Sequence, residues 1–238
     1  MSDSAVFLGV VAISAAATAV AGALIWVMVA AQRRAEESEI DALRADLLRE
    51  AGRSGWVESD PPAELTWRGL ATVIPDEKRR CALVGTHDGH QVALIWCDYQ
   101  HDEVSLRYVA LLVGLDQLDE PLPAMGISFR SGRFPPRRPA VSLPDDDAQF
   151  LRRFTVLPHD DPDAVGRALT GPVRSALYQL RDLRGWADRP IRIEGRALQV
   201  VVDGWPRLAG LGARLSAATT LAAALSTTAT ATDDGSDT

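Results

Sequence analysis

Cys81, His87, His90, Cys97 and His101 lie close together in the chain, and their His-x-x-His and Cys-x-x-x-His spacings are ones that tetrahedral zinc uses. Asp88-Gly89, between the first two histidines, argues against that chemistry. Asp-Gly suits a two-residue hairpin turn that needs positive φ at its centre. The turn sets a register in which His87 faces His90, Leu83 faces Leu94 and Cys81 faces Trp96, so Cys97 falls on the sheet face opposite Cys81. At ~3.3 Å per residue, Cys81 and His87 stand about 20 Å apart, and Cys97 and His101 about 13 Å. Zinc ligands must all lie within ~2.0–2.3 Å of the ion. No metal site is expected, and the histidines are read as solvent-facing residues beside a turn.

Two acidic clusters, Asp145-Asp146-Asp147 and His159-Asp160-Asp161, are of the kind that holds a divalent cation in phosphohydrolases. Both adjoin prolines and helix starts, where carboxylates cap helices and solvate loops. Gly210-Leu211-Gly212 sits inside an apolar helical pattern and does not follow a strand, so it is no phosphate-cradling loop. There is no serine elbow. No catalytic, cofactor-binding or metal residue is therefore assigned, and the balance is against an enzyme. Arg130, Arg133, Arg137 and Arg138 around Phe134-Pro135-Pro136 form a basic segment that could touch anionic lipid.

The elements that carry these residues read as follows. Strands are predicted at Leu65–Ile74, Cys81–Thr86, Gln91–Asp98, Val104–Val113, Gly126–Phe129 and Phe150–Leu157, from β-branched and aromatic runs bounded by turn signals. Phe150, Phe154 and Val156 share one face of the last of these by parity. Short helices follow at Pro162–Leu169, begun by Asp160 or Asp161 as cap, and at Pro172–Arg184. Ile191–Ile193 and Ala197–Val202 make a hairpin around Gly195, with Leu198, Val200 and Val202 on one face. A last helix, Pro206 to Leu225, shows Leu208, Leu211, Leu215, Ala218 and Leu225 at helical spacing. Strands so close in sequence lack room for parallel crossovers and must pair antiparallel.

From Ala5 to Ala31 no residue is charged. A helix of that length covers about 40 Å, more than the ~30 Å hydrocarbon core. A cleaved signal peptide would have a positive n-region and a shorter apolar core. The predicted fold is thus α+β: an N-terminal single transmembrane helix followed by an antiparallel-sheet domain with two short helices and a C-terminal helix. Arg33, Arg34, Arg44, Arg49 and Arg53 follow the span and none precedes it, which puts the N-terminus outside and the domain in the cytoplasm. Ala15, Ala19 and Ala23, beside Ser14, Thr18 and Gly22, give the span small-residue faces suited to weak self-association. The expected divisions are 1–32 transmembrane anchor, 33–55 polar juxtamembrane helix, 56–226 single cytoplasmic domain and 227–238 disordered tail. In the second, Ile40, Leu43 and Leu47 form a narrow stripe, ended by Gly52 and Gly55.

The 238 residues carry a formal net charge of −7, with Lys78 as the only lysine. An acidic chain without a clustered basic surface argues against nucleic acid as a partner. Cys81 and Cys97 are too few for a disulfide framework and sit in apolar runs, as buried thiols do.

Phe150-x-x-x-Phe154-x-Val156, followed by Asp160, Ala164 and Leu169-Thr170-x-Pro172, resembles a family of uncharacterised bacterial membrane-anchored proteins. Their soluble region carries Phe-x-x-x-Phe-x-Val, an Asp, an Ala and a Leu-Thr-Pro turn. The match runs to the hairpin near Val201, and here Gly171 separates Thr170 from Pro172. The resemblance implies a membrane-tethered module and brings no catalytic residues. The expected function is a membrane-tethered cytoplasmic interaction or scaffold domain. It would be held by the lipid bilayer through residues 5–31, act on an unknown protein partner and need no cofactor. The alternatives are an enzyme of hydrolase class with a dispersed site, and an anionic-lipid-binding module.

Overall fold

The computed structural model describes residues 3–61, 79–101, 104–118, 120–129, 141–145, 147–183, 191–203 and 210–231, with the side chains of the first helix from residue 23 onward. The predicted strand Leu65–Ile74 and the Arg130–Arg138 segment lie outside the described residues. The chain divides into two compact units, residues 1–46 and 47–238.

The N-terminal helix, α1, runs without a break over Asp3–Arg53, joining the expected anchor and juxtamembrane helices into one element. The expected transmembrane span is corrected here. Among the described residues no helix is long and apolar enough to cross a membrane. The apolar stretch of described side chains runs from Ala23 to Ala31 and meets Gln32, Arg33 and Arg34.

The second unit opens on the end of α1, which closes in a Schellman motif. The N–H of Trp56 donates to the carbonyl of Ala51 at 2.8 Å, and that of Gly55 to Gly52 at 3.2 Å, with Gly55 at φ +75°. Among the described residues, eight antiparallel strands follow in the order β1-β2-β3-β4-β8-β7-β5-β6. They are β1 (Val57–Glu58), β2 (Arg79–His87), β3 (His90–His101), β4 (Val104–Gly114), β5 (Leu122–Phe129), β6 (Phe154–Pro158), β7 (Ile191–Gly195) and β8 (Ala197–Asp203). Asp88 at φ 49° and Gly89 at φ 80° make the type I′ turn that the Asp-Gly pair demands. The resulting register pairs His87 with His90, Leu83 with Leu94 and Cys81 with Trp96.

One cross-strand row runs through Gly85, Val92, Val113, Leu198, Ile193, Met125 and Pro158. The next row holds Leu83, Leu94, Leu111 and Val200. This face carries most of the core, together with α2 (Ala148–Arg153), α3 (Pro162–Ala168), α4 (Gly171–Asp182) and α5 (Leu211–Ala231). The opposite face is closed to water as well at Ala93, Ile95, Cys97, Ala110 and Leu112. Strands buried on both faces need no polar alternation, which is why β4 reads as a continuous apolar run from Val109 to Val113. Towards β7 and β6 that second face turns polar or exposed, at Arg192, Glu194, Thr155 and Leu157.

Phe150 departs from expectation. It lies on α2 rather than on a strand, because Asp147 accepts the Phe150 N–H at 2.9 Å and caps a helix there. The ring still reaches the predicted neighbour, stacking on Phe154 with centroids 4.5 Å apart. Tyr178 of α4 meets Phe154 edge-on at 5.1 Å. The last helix begins at Leu211 and continues to Ala231, past the predicted boundary at Ser226. Leu215, Ala218, Leu221 and Leu225 are buried along it.

Candidate functional site

Four acids of the two predicted clusters, Asp145, Asp147, Asp160 and Asp161, are engaged in caps and hydrogen bonds. Asp147 caps α2, and Asp161 caps α3 by accepting from Asp163 and Ala164 N–H at 3.2 Å each. Asp160 accepts from the Ala124 N–H at 2.7 Å and so ties the start of α3 to β5. Asp145 takes a two-pronged contact from the buried guanidinium of Arg174, whose Nε lies 3.4 Å from Asp147. Those hydrogen bonds from Arg174 hold the Asp145 carboxyl below its ordinary pKa. Asp160 thus ties α3 to the sheet, while Arg174 ties α4 to the segment that leads into α2. A shallow cleft of about 660 Å³ beside them, rimmed by Glu120, Asp160 and Glu194, is open to solvent.

The residues first considered for zinc are spread apart. Cys81 and Cys97 are both buried, form no disulfide and face opposite sides of the sheet. Among the described residues, no three His, Cys, Asp or Glu side chains converge. His90 is not solvent-facing: it is buried, with Nδ1 3.2 Å from the Gly114 carbonyl. His87 is half-buried, and its Nε2 lies 3.1 Å from Ser216 Oγ on α5 and 3.5 Å from Asp88.

A serine, a histidine and an aspartate thus meet at one corner of the fold, in the wrong order for catalysis. In an acyl-transfer triad the acid holds one imidazole nitrogen while the other takes the serine proton. Here Ser216 and Asp88 approach the same nitrogen. Ser216 also lies within a regular helix, where no sharp turn presents its hydroxyl. Thr219 Oγ1 stands 3.0 Å from Asp88, so the cluster's evident role is to fasten the β2–β3 turn to α5.

Beside that fastening lies a cavity of about 340 Å³. Leu47 and Ala51 at the end of α1 form one wall, Leu83 and Leu94 of the sheet the floor, and Leu211 and Leu215 of α5 the facing wall. Trp56 closes one side, with its Nε1–H donating to the Thr86 carbonyl at 3.2 Å. Glu50, Ser54 and His87 supply the polar part of the lining. Glu50 is held by Arg53 at 3.0 Å. Gly212, in the first turn of α5, also lines the cavity, and a Cβ there would meet open space.

Sequence reasoning missed this site, because its lining comes from residues 47–56, 83–94 and 211–215. The local signals were Trp56 immediately after Gly55, and the Gly-Leu-Gly run, which had been considered only as a phosphate loop.

The class defined by the described residues is an α+β domain, in which an eight-stranded antiparallel sheet packs against helices and a mainly apolar pocket lies near the β1 edge. The chain matches no protein-family model and no curated protein. Among solved structures it is similar to the crystal structure of the mycobacterial trehalose monomycolate transport factor A, TtfA. That similarity has 14% identity and a TM-score of 0.48, over 74% of this chain and 89% of that one.

Proposed function

We propose that this chain is a membrane-associated interaction protein rather than an enzyme. The observation that carries the reading is an apolar collar on α1. Leu24, Ile25, Trp26, Val27, Met28 and Val29 are all exposed, Trp26 at 72% and Met28 at 71%. Successive helical residues point about 100° apart, so consecutive apolar residues wrap the helix instead of forming a stripe. A stripe suits one protein surface, whereas a collar suits surroundings that are apolar on every side. Exposed apolar surface of this kind marks a membrane or protein contact. The resemblance of residues 150–201 to membrane-anchored bacterial proteins supports the same reading. The single-nitrogen contact at His87 supports a non-enzymatic role.

Flotation of the purified full chain with phosphatidylcholine–phosphatidylglycerol vesicles tests this. The chain is expected to rise with the vesicles, and a Trp26→Asp/Met28→Asp variant to remain largely at the bottom of the gradient. A chain that stays at the bottom, or a variant that floats as well as the parent, overturns the proposal.

A further inference from the structure

We infer that the cavity between the end of α1, the β2–β3 hairpin and α5 binds a single medium-length alkyl chain with an anionic head, such as a free fatty acid. This goes beyond the membrane reading and does not rest on it.

Three observations point to that chemistry. The lining is led by Leu47, Leu83, Leu94, Leu211 and Leu215, with Trp56 among them, and the pocket is partly open to solvent. A mainly apolar pocket of about 340 Å³ falls within the range of small-ligand sites. If a methylene fills roughly a water's ~30 Å³ share, about ten of them fit, which suits the tail of one chain better than those of two.

The second observation is the polar end. The first bond of the α5 ladder runs from Arg214 N–H to the Gly210 carbonyl at 3.1 Å, so the leading N–H groups of Leu211, Gly212 and Ala213 precede it. This is the positive end of the helix dipole, and the first turn carries no acidic residue. Gly212 places no side chain between that end and the cavity. A carboxylate head is therefore favoured there over an ammonium.

The third is the state of the rim charge. The nearest rim carboxylate, Glu50, is already engaged by Arg53 at 3.0 Å, which lessens its repulsion of an anion.

The experiment is photolabelling of the full chain with a diazirine-bearing twelve-carbon fatty acid, followed by peptide mapping. A twelve-carbon alkyltrimethylammonium carrying the same diazirine is run in parallel. Label from the carboxylate is expected on peptides spanning 47–56, 83–94 and 211–215, saturating with concentration, and reduced at least fivefold for the ammonium. Gly212→Leu and Ser54→Leu, which fill the cavity from two sides, should each lower that labelling severalfold without lowering the melting midpoint. Label absent from these peptides, equal labelling by the two probes, or full labelling in both filled variants overturns the assignment. Label confined to 23–29 rejects the cavity while leaving the collar's membrane role standing.

Discussion

The indole of Trp56 occupies the space that a side chain on Gly85 would need: a Cβ built there collides with the ring. The Schellman turn that ends α1 delivers the indole to the sheet, and β2 leaves room for it. We expect Gly85→Ala to cost about 1–3 kcal/mol of stability, the range for overpacking a closed contact. Trp56→Ala should cost about 3–5 kcal/mol. The two are neighbours and should couple, so the Gly85→Ala penalty shrinks in a Trp56→Leu background. Equal penalties in both backgrounds, measured by denaturant unfolding, would remove the contact from the account.

Gly212, which lines the cavity, and Gly55, in the turn that ends α1, should respond in opposite directions. Gly55 sits at φ +75°, where an L side chain is strained, so Gly55→Ala should lose about 1 kcal/mol. Gly212 lies in the first turn of α5 with open space around its Cβ, and Gly212→Ala should gain a few tenths to about 1 kcal/mol. Thermal melts of the two variants settle the signs.

The Arg174–Asp145 contact predicts a particular acid sensitivity. Its hydrogen bonds lower the folded-state pKa of Asp145, so folding favours the ionised carboxylate. That stabilisation is complete above the unfolded value of about 3.9 and is lost as pH falls through the folded one. Asp145→Asn should therefore melt lower than the parent near neutrality, and the two curves should converge below about pH 4. Parallel curves from neutrality into acid would exclude the pair as the cause.

The chain cut after Asp203 should lose cooperative unfolding. Leu221 and Leu225 are wholly buried and Leu215 nearly so. Each leucine contributes roughly 1.5–3 kcal/mol, and together they rival the ~5–15 kcal/mol by which a domain is stable. A chain cut after Ala231 should melt like the parent. Calorimetry on both truncations distinguishes a core helix from a peripheral one.

What could be read in advance was mostly local. Asp88-Gly89 admits one kind of turn, and that turn dictated every pairing from Cys81–Trp96 to His87–His90. Phe150 was misread because Phe-x-x-x-Phe places two rings on one side of either a strand or a helical turn. The cap from Asp147 decides between them. The burial of His90 depends on the Gly114 carbonyl at the far end of β4, a partner invisible to short-range pattern. The cavity is built from three distant segments, so composition pointed to each wall separately and to the space between them not at all. The N-terminal helix was legible as a helix. Its expected span is corrected, since among the described residues no helix is long and apolar enough to cross a membrane.

The strand order has a consequence for how the protein is made. β1 to β4 are consecutive in the chain, while β4 finds its second neighbour in β8, pairing Tyr108 with Asp203 and Gly114 with Ala197. A ribosome adding ~5–20 residues per second leaves β4 without that neighbour for on the order of ten seconds. During that interval Val109, Ala110, Leu111, Leu112 and Val113 form an open edge whose two faces are both destined for burial. Nascent chains on one message would present the same sticky strand to each other, so demand for a holding chaperone should peak before the C-terminal third emerges.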